Sequence, residues 1–187
     1  MGVEKVVSGK IADPGDSDLN TETERLVSTT GDISAARHDR MNSETLQSLI
    51  WVFVVAVLLN YLWELAQAPL YVGLPRYNPV VFWHCFVASL GDGIMVIIIF
   101  AAGRIALHRW DWFQRPGAAG YLIMLTAGFV RAILVEWVAV HILARWQYTD
   151  KMPTVPRLHI GLIPVAQMVI LPPVIFRTAA HWLSRKR

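Results

Sequence analysis

Four apolar stretches, each roughly 20–25 residues long, constrain this chain more than anything else in it. They run from about Leu49 to Val72, Val80 to Gly103, Ala119 to Ala144 and Ile160 to Leu183. A helix rises about 1.5 Å per residue, so each stretch is long enough to cross a hydrocarbon core about 30 Å thick. Inside lipid only a helix or a closed barrel satisfies its own backbone. The stretches therefore predict an all-α fold, an integral-membrane four-helix bundle. Composition agrees: 17% of residues are charged, against about a quarter in soluble domains, and Trp, a residue that collects at membrane interfaces, occurs eight times. The fourth stretch contains Pro164, Pro172 and Pro173, which predict kinks that neighbouring helices must re-satisfy.

Residues 1–45 differ in kind. They are rich in Ser, Thr, Asp, Glu and Gly and carry a net charge of −4, whereas the rest of the chain carries +7. They read as a disordered cytoplasmic tail, with the transmembrane domain over 46–187. Met41, directly before the first apolar stretch, is an alternative start of translation. No signal peptide is expected at the N-terminus.

The bases outside the tail flank apolar stretches and do not form a soluble basic face. They point to membrane topology and away from nucleic acid. Nine bases (Arg37, Arg40, Arg104, Arg109, Arg115, Arg177, Arg185, Lys186, Arg187) fall on one side of the four spans. Four (Arg76, Arg145, Lys151, Arg157) fall on the other. The positive-inside rule then puts both termini in the cytoplasm. Tyr71, Tyr77, Trp83, Trp146 and Tyr148 are the expected outer-interface residues, and Trp110, Trp112 and Trp182 the inner ones.

Polar residues inside the spans carry the functional expectation. Asn60, Glu64, Gln67 and Tyr71 recur at i, i+4, i+7 and i+11, one face of the first helix. Such a stripe must meet protein or a wet cavity, because buried charge in lipid costs at least about 2.5–3.5 kcal/mol per residue on insertion scales. The second helix offers His84, Ser89 and Asp92, with Gly91 and Gly93 on either side of the acid predicting a close helix approach or a local break. The third has Arg131, Glu136 and His141, and the fourth has Gln167. Arg131 and Glu136 are about 140° apart on an ideal helix, so a partner for Arg131 on another helix is expected. Counted along the spans, His84, Glu64, Gln167, Glu136 and Asp92 lie roughly 6–18 Å below the outer boundary. That shared depth predicts one polar pocket opening outward. The loop from Arg145 to Pro156, with its aromatics and two prolines, is either a cap on the pocket mouth or an ordinary connector.

The chemistry this suggests is proton transfer. Close carboxylates in a low-dielectric site share a proton, and a protonated acid beside an ionised one is an acid/base pair. The sequence has no nucleophile elbow, Walker loop or dinucleotide fingerprint. It has no Glu-x-x-His pair of the di-iron type and, with the single Cys85, no disulfide or Cys/His zinc spacing. No cofactor and no metal is therefore expected. The structural alternative stays open: the amides and acids then serve to bond helices together.

The segments Asn60–Tyr71, Ala88–Asp92, Glu136 with Arg145–Tyr148, Met152-Pro153, and Pro164 with Gln167-Met168 resemble a small bacterial family of four-helix membrane proteins. The resemblance covers most of residues 49–176. It implies a bundle in the bacterial inner membrane and brings no activity with it. A looser similarity, carried by Trp63-Glu64 alone, links the first helix to integral-membrane terpene cyclases, which have about seven spans. It implies an acid role for Glu64.

The leading expectation is a membrane-embedded enzyme acting on a lipid or isoprenoid substrate. Glu64 and Glu136 are its acid and base, Asp92 tunes them, and Asn60, Gln67, Tyr71, His84, Ser89, Arg131 and Gln167 bind or orient the substrate. The alternatives are a small proton-coupled transporter or channel component, as a homo-oligomer, and a non-catalytic assembly partner. Expected partners are membrane lipids, a second copy of the chain and a small hydrophobic substrate.

Overall fold

The computed structural model describes residues 43–74 and 78–185. The expected tail and the alternative start at Met41 lie outside the described residues, apart from 43–45, which are already helical. Among the described residues four helices are long and apolar enough to cross a membrane: α1 (Ser43–Leu70), α2 (Pro79–Leu107), α3 (Gly117–Ile142) and α4 (Leu162–Arg185). The described residues form a multi-pass, predominantly helical membrane bundle. Exposed residues such as Leu58, Leu62, Ile98, Leu122, Val130 and Ile170 point outward from the helices, as lipid-facing positions should.

Local chemistry sets the helix ends. Pro69 falls within a tight 3-10 turn, Ala68–Leu70, that finishes α1, and Tyr71 leaves it in extended conformation. Asn78 caps α2 by accepting from the Val80 N–H at 2.9 Å, with Pro79, which has no N–H to satisfy, in the first helical position. His108, at φ 55°, stops α2. The last turn of α3 widens into a π-helical segment, Val138–Ile142. Such segments recur at functional sites.

Small residues let the helices close on one another, the usual device where lipid supplies no hydrophobic drive. Cys85, Ser89 and Gly93 form a buried row on α2. A Cβ on Gly93 would sit 2.9 Å from both Phe53 and Val57 of α1, which bears out the close approach expected there. On α3 the buried row is Gly120, Met124, Gly128, Ala132 and Glu136. Gly128 lies against the Met168 carbonyl of α4, 2.1 Å from where its Cβ would be. The prolines explain that carbonyl. Pro172 has no N–H to donate back to residue 168, so the Met168 oxygen is left open, and Gly128 packs over it. α4 still runs as one helix through Pro172 and Pro173.

The two halves of the bundle differ. Towards the start of α1 and the end of α4 the interior is apolar and aromatic. Phe100 has ring contacts with Trp112, Phe113 and Phe176, at centroid distances of 6.3, 5.6 and 6.5 Å. Trp112, expected at the inner interface, is instead fully buried. It folds back under α2, its ring filling the space a Cβ on Gly103 would occupy, and its Nε1 donates to the Phe100 carbonyl at 3.1 Å. Trp110 and Trp182 are half exposed.

At the opposite end the α3–α4 connection forms an ordered cap. It contains a short antiparallel pair, β1 (Thr154–Val155) and β2 (Ile160–Gly161), in the register Thr154↔Gly161 and Val155↔Ile160. The cap is tied to the end of α1: Val72 N–H donates to Gln147 O and Thr149 N–H to Leu70 O, each at 2.9 Å.

Candidate functional site

Between the cap and the aromatic core lies a cavity of about 580 Å³. All four helices line it, and so do Arg145 and Trp146 of the cap. Its wall includes Glu64, Gln67, Tyr71, His84, Asp92, Arg131, Glu136 and Gln167. Eight of the ten residues expected at a site thus meet around one space, at one end of the bundle. The other two do not reach the wall. Ser89 is fully buried in the small-residue row and donates to its own helix at Phe86 O, 2.7 Å away. Asn60, also fully buried, sits behind the wall.

Gln167 organises the floor of the cavity. Its Oε1 accepts from Gln67 Nε2 at 3.0 Å. Its Nε2 faces Asn60 Oδ1 at 2.8 Å, Asp92 Oδ2 at 3.0 Å and Glu64 Oε1 at 3.1 Å. A primary amide has two N–H groups, so two hydrogens serve three acceptors. Glu64 and Asp92 share this donor, which holds their oxygens within about 6 Å of each other. The two carboxyl groups are near enough to hydrogen-bond one another when one carries a proton. Gln67 Nε2 also donates to Glu64 Oε1 at 2.8 Å. One α4 amide therefore joins the α1 stripe to the α2 acid.

Glu136 stands apart from that pair on the same cavity. Its Oε2 accepts from Tyr148 Oη and from Trp146 Nε1, the latter at 3.4 Å. Tyr148 is fixed in turn by the Gly161 N–H, which donates to its Oη at 2.9 Å. The π segment makes this possible by turning the chain back early: the Arg145 N–H donates to Ala139 O at 2.9 Å, and the next residue is Trp146. Nothing in the spacing of Glu136, Trp146 and Tyr148 announced this grouping; the π turn at 138–142 was the missing signal. Burial first, and then the neighbouring Glu136, push the phenols of Tyr71 and Tyr148 above the ordinary tyrosine range, so both stay protonated and able to donate.

Arg131 finds its carboxylate on another helix, as expected. Its Nη2 lies 3.9 Å from Asp92 Oδ1, and Nη1 contacts Met168 Sδ at 2.8 Å. Two buried polar atoms on the wall have no partner: Arg131 Nε and Gln67 Oε1. Gly91 also lines the cavity, and a Cβ there would meet nothing within 4 Å. His141 is elsewhere, its Nε2 2.8 Å from Leu158 O. Among the described residues no group of three or more His, Cys, Asp or Glu side chains is placed to hold a metal ion.

Chemically, the arrangement offers two carboxyl groups sharing one amide donor, a separate carboxylate with its own donors, and a guanidinium with donors to spare. Comparison with family models, curated proteins and solved structures found no match for this chain.

Proposed function

We propose that this protein is a membrane-embedded enzyme acting on a lipid or isoprenoid substrate by acid/base chemistry. Glu64, paired with Asp92, gives a proton to a substrate carbon, and Glu136 takes one from elsewhere on the same molecule. The two transfers cancel, so the substrate is rearranged, by isomerisation or cyclisation, without change of composition. The observation that carries this reading is the separation of roles around one cavity: two carboxyl groups share the Gln167 amide, while the third is held by Tyr148 and Trp146. General acid/base catalysis needs a proton donor and an acceptor within reach of one substrate. Both termini are cytoplasmic in this reading, and the cavity opens in the outer half of the inner membrane.

A channel or carrier is less well supported, because a transport path must continue beyond Asp92. There the interior is filled by Phe100, Trp112, Phe113 and Phe176, none more than 2% exposed. The test is to compare lipid and isoprenoid profiles by mass spectrometry in a deletion strain complemented with wild type, Glu64→Gln or Glu136→Gln. Enzymatic action predicts that wild type alone depletes one species and accumulates an isomer of it. Profiles identical in all strains sink the proposal.

A further inference from the structure

The cavity meets the cap at one end and lipid along its flank. At the cap end the Tyr71 ring packs on Trp146 and Tyr148, with centroids 6.2 and 5.7 Å apart, and Tyr71 pairs with Tyr148 as an isolated bridge. On the flank, Trp83 and Val87 of α2 and Val135 of α3 line the cavity yet are 65%, 49% and 37% exposed. They mark an opening between α2 and α3. From Trp83 to Asp92 the cavity wall rises about 14 Å along α2.

A second recess, an apolar groove of about 430 Å³, lies beside the first on α3. Leu134, Val135, Val138, Ala139 and Leu143 line it, and Arg145 and Trp146 complete it at the cap end. The π turn builds this groove, because the bond from Arg145 N–H to Ala139 O folds the loop back beside the helix. From Leu134 to Leu143 the rise is about 13 Å. One leaflet's share of a hydrocarbon core about 30 Å thick is about 15 Å, so each recess is about as long as a leaflet is deep. Val135, Arg145 and Trp146 line both recesses and so stand between them. Trp146 is held there by its bond to Glu136. Arg145 is exposed at the shared cap end, and among the described residues no carboxylate pairs with it.

We infer that the two recesses hold one two-chain lipid, its phosphate head on Arg145, one chain entering the cavity between α2 and α3 and the other lying in the α3 groove. A guanidinium fork matches a phosphate with two parallel hydrogen bonds, and tryptophan beside it suits the headgroup level. Charge sets the orientation: an anionic head is repelled by Glu64 and Asp92 at the floor and attracted by Arg145 at the mouth. A cationic head would meet Arg145, a diacylglycerol would leave it without a counter-charge, and a single-chain phosphate would leave one recess empty. Chain carbons, not the head, then lie among Glu64, Asp92 and Glu136. The inference rests on the acid/base proposal and specifies its substrate as a phospholipid that reacts in one chain.

The experiment uses the purified full chain in an uncharged maltoside detergent, with photoreactive lipids carrying a mid-chain diazirine in every chain. Phosphatidylglycerol is compared with diacylglycerol of the same chains and with a single-chain alkyl phosphate. Crosslinks are mapped by mass spectrometry. Phosphatidylglycerol is expected to label both the cavity wall and the α3 groove, about tenfold more than either other lipid labels both. Arg145→Gln should lower that labelling about tenfold, the loss expected for a charge-assisted hydrogen bond. Gly91→Leu projects into open space in the cavity, and Val138→Trp fills the groove. Because one molecule occupies both recesses, each variant should weaken labelling in the recess it leaves open. Diacylglycerol or the alkyl phosphate matching phosphatidylglycerol in wild type, labelling spread evenly around the bundle, unchanged labelling of Arg145→Gln, or independent loss in the two blocked variants each overturns the inference. The comparison of lipids on wild type needs no variant to fold. Labelling also requires no turnover. The expected labelling with unchanged lipid profiles would refute the acid/base proposal alone, whereas turnover without the phosphate and two-chain preference would refute this inference alone.

Discussion

Replacing Gln167 by Leu removes the one side chain that joins α1, α2 and α4 at the cavity floor. It is 2% exposed, and three interhelical hydrogen bonds at a time depend on it, one accepted from Gln67 and two donated among Asn60, Glu64 and Asp92. Bonds of this kind in membrane bundles average about 0.6 kcal/mol each, so their direct loss amounts to roughly 2 kcal/mol. Their consequences differ. Glu64 and Asp92 line the cavity and can take up water in place of the amide. Asn60 Oδ1 is fully buried behind the wall and cannot, and stranding it adds about 1 kcal/mol. The total is roughly 3 kcal/mol, a shift of about two orders of magnitude in the unfolding equilibrium. Reversible unfolding in mixed lipid–detergent micelles measures it, with Thr126→Ala as the control. Thr126 is exposed and donates to Leu122 O of its own helix, so its loss should move stability by less than about 0.5 kcal/mol. Asn60→Leu combined with Gln167→Leu should be clearly non-additive, because the second change no longer strands the first partner. A Gln167→Leu penalty under about 1 kcal/mol, or strict additivity, would refute the claim that this amide ties the floor together.

Other outcomes follow from the same structure. Gly128→Ala should destabilise the bundle by about 1–3 kcal/mol in the same unfolding assay, since the new methyl meets the Met168 carbonyl, a backbone atom that cannot step aside. Gly91→Ala should be neutral or stabilising by up to about 1 kcal/mol, because the space is open and Ala is the better helix former. Trp112→Ala should cost about 3–5 kcal/mol by emptying the aromatic core, and Trp112→Phe about 1 kcal/mol for the bond to Phe100 O. For pH, the folded state holds the Tyr71 and Tyr148 protons more tightly than the unfolded chain does. The stability this contributes is complete below the ordinary tyrosine value of 10.0 and is lost as pH rises above it. Alkaline titration followed by phenolate absorbance should show at least two late tyrosines, with Tyr71→Phe and Tyr148→Phe each removing one; a full complement titrating near 10.0 would contradict this.

Much of the fold was legible because the bilayer imposes it. Four apolar lengths specify four spans, and a period of 3.6 residues put Glu64 and Gln67 on one inward face. Depth along each span put Gln167 at about 10 Å and Asp92 at about 18 Å below the outer boundary, in the same outer half but not at one level; in the structure the two side chains meet at 3.0 Å. Trp112 shows what the pattern leaves ambiguous. A tryptophan just past a basic helix end looks the same whether it lies in the interface or folds inward, and only the missing Cβ of Gly103 makes room beneath α2. Asn60 and Ser89 show a second limit: periodicity identifies a polar residue as inward-facing, but not whether it reaches a cavity or is sealed behind it. The partners of Glu136 were hidden for a third reason. They sit on a connecting loop whose path depends on the π segment of α3, and hydropathy carries no mark of that turn.

The acid/base proposal can be tested directly by isotope incorporation. Wild-type protein in nanodiscs made from its host's total lipid extract is incubated in heavy water, and the lipids are then analysed by mass spectrometry after back-exchange. Proton delivery from the Glu64–Asp92 pair to carbon predicts a lipid or isoprenoid species carrying non-exchangeable deuterium, formed by wild type and absent with Glu64→Gln and with Glu136→Gln. No deuterium in any species with wild type, or equal incorporation with both variants, would contradict the account.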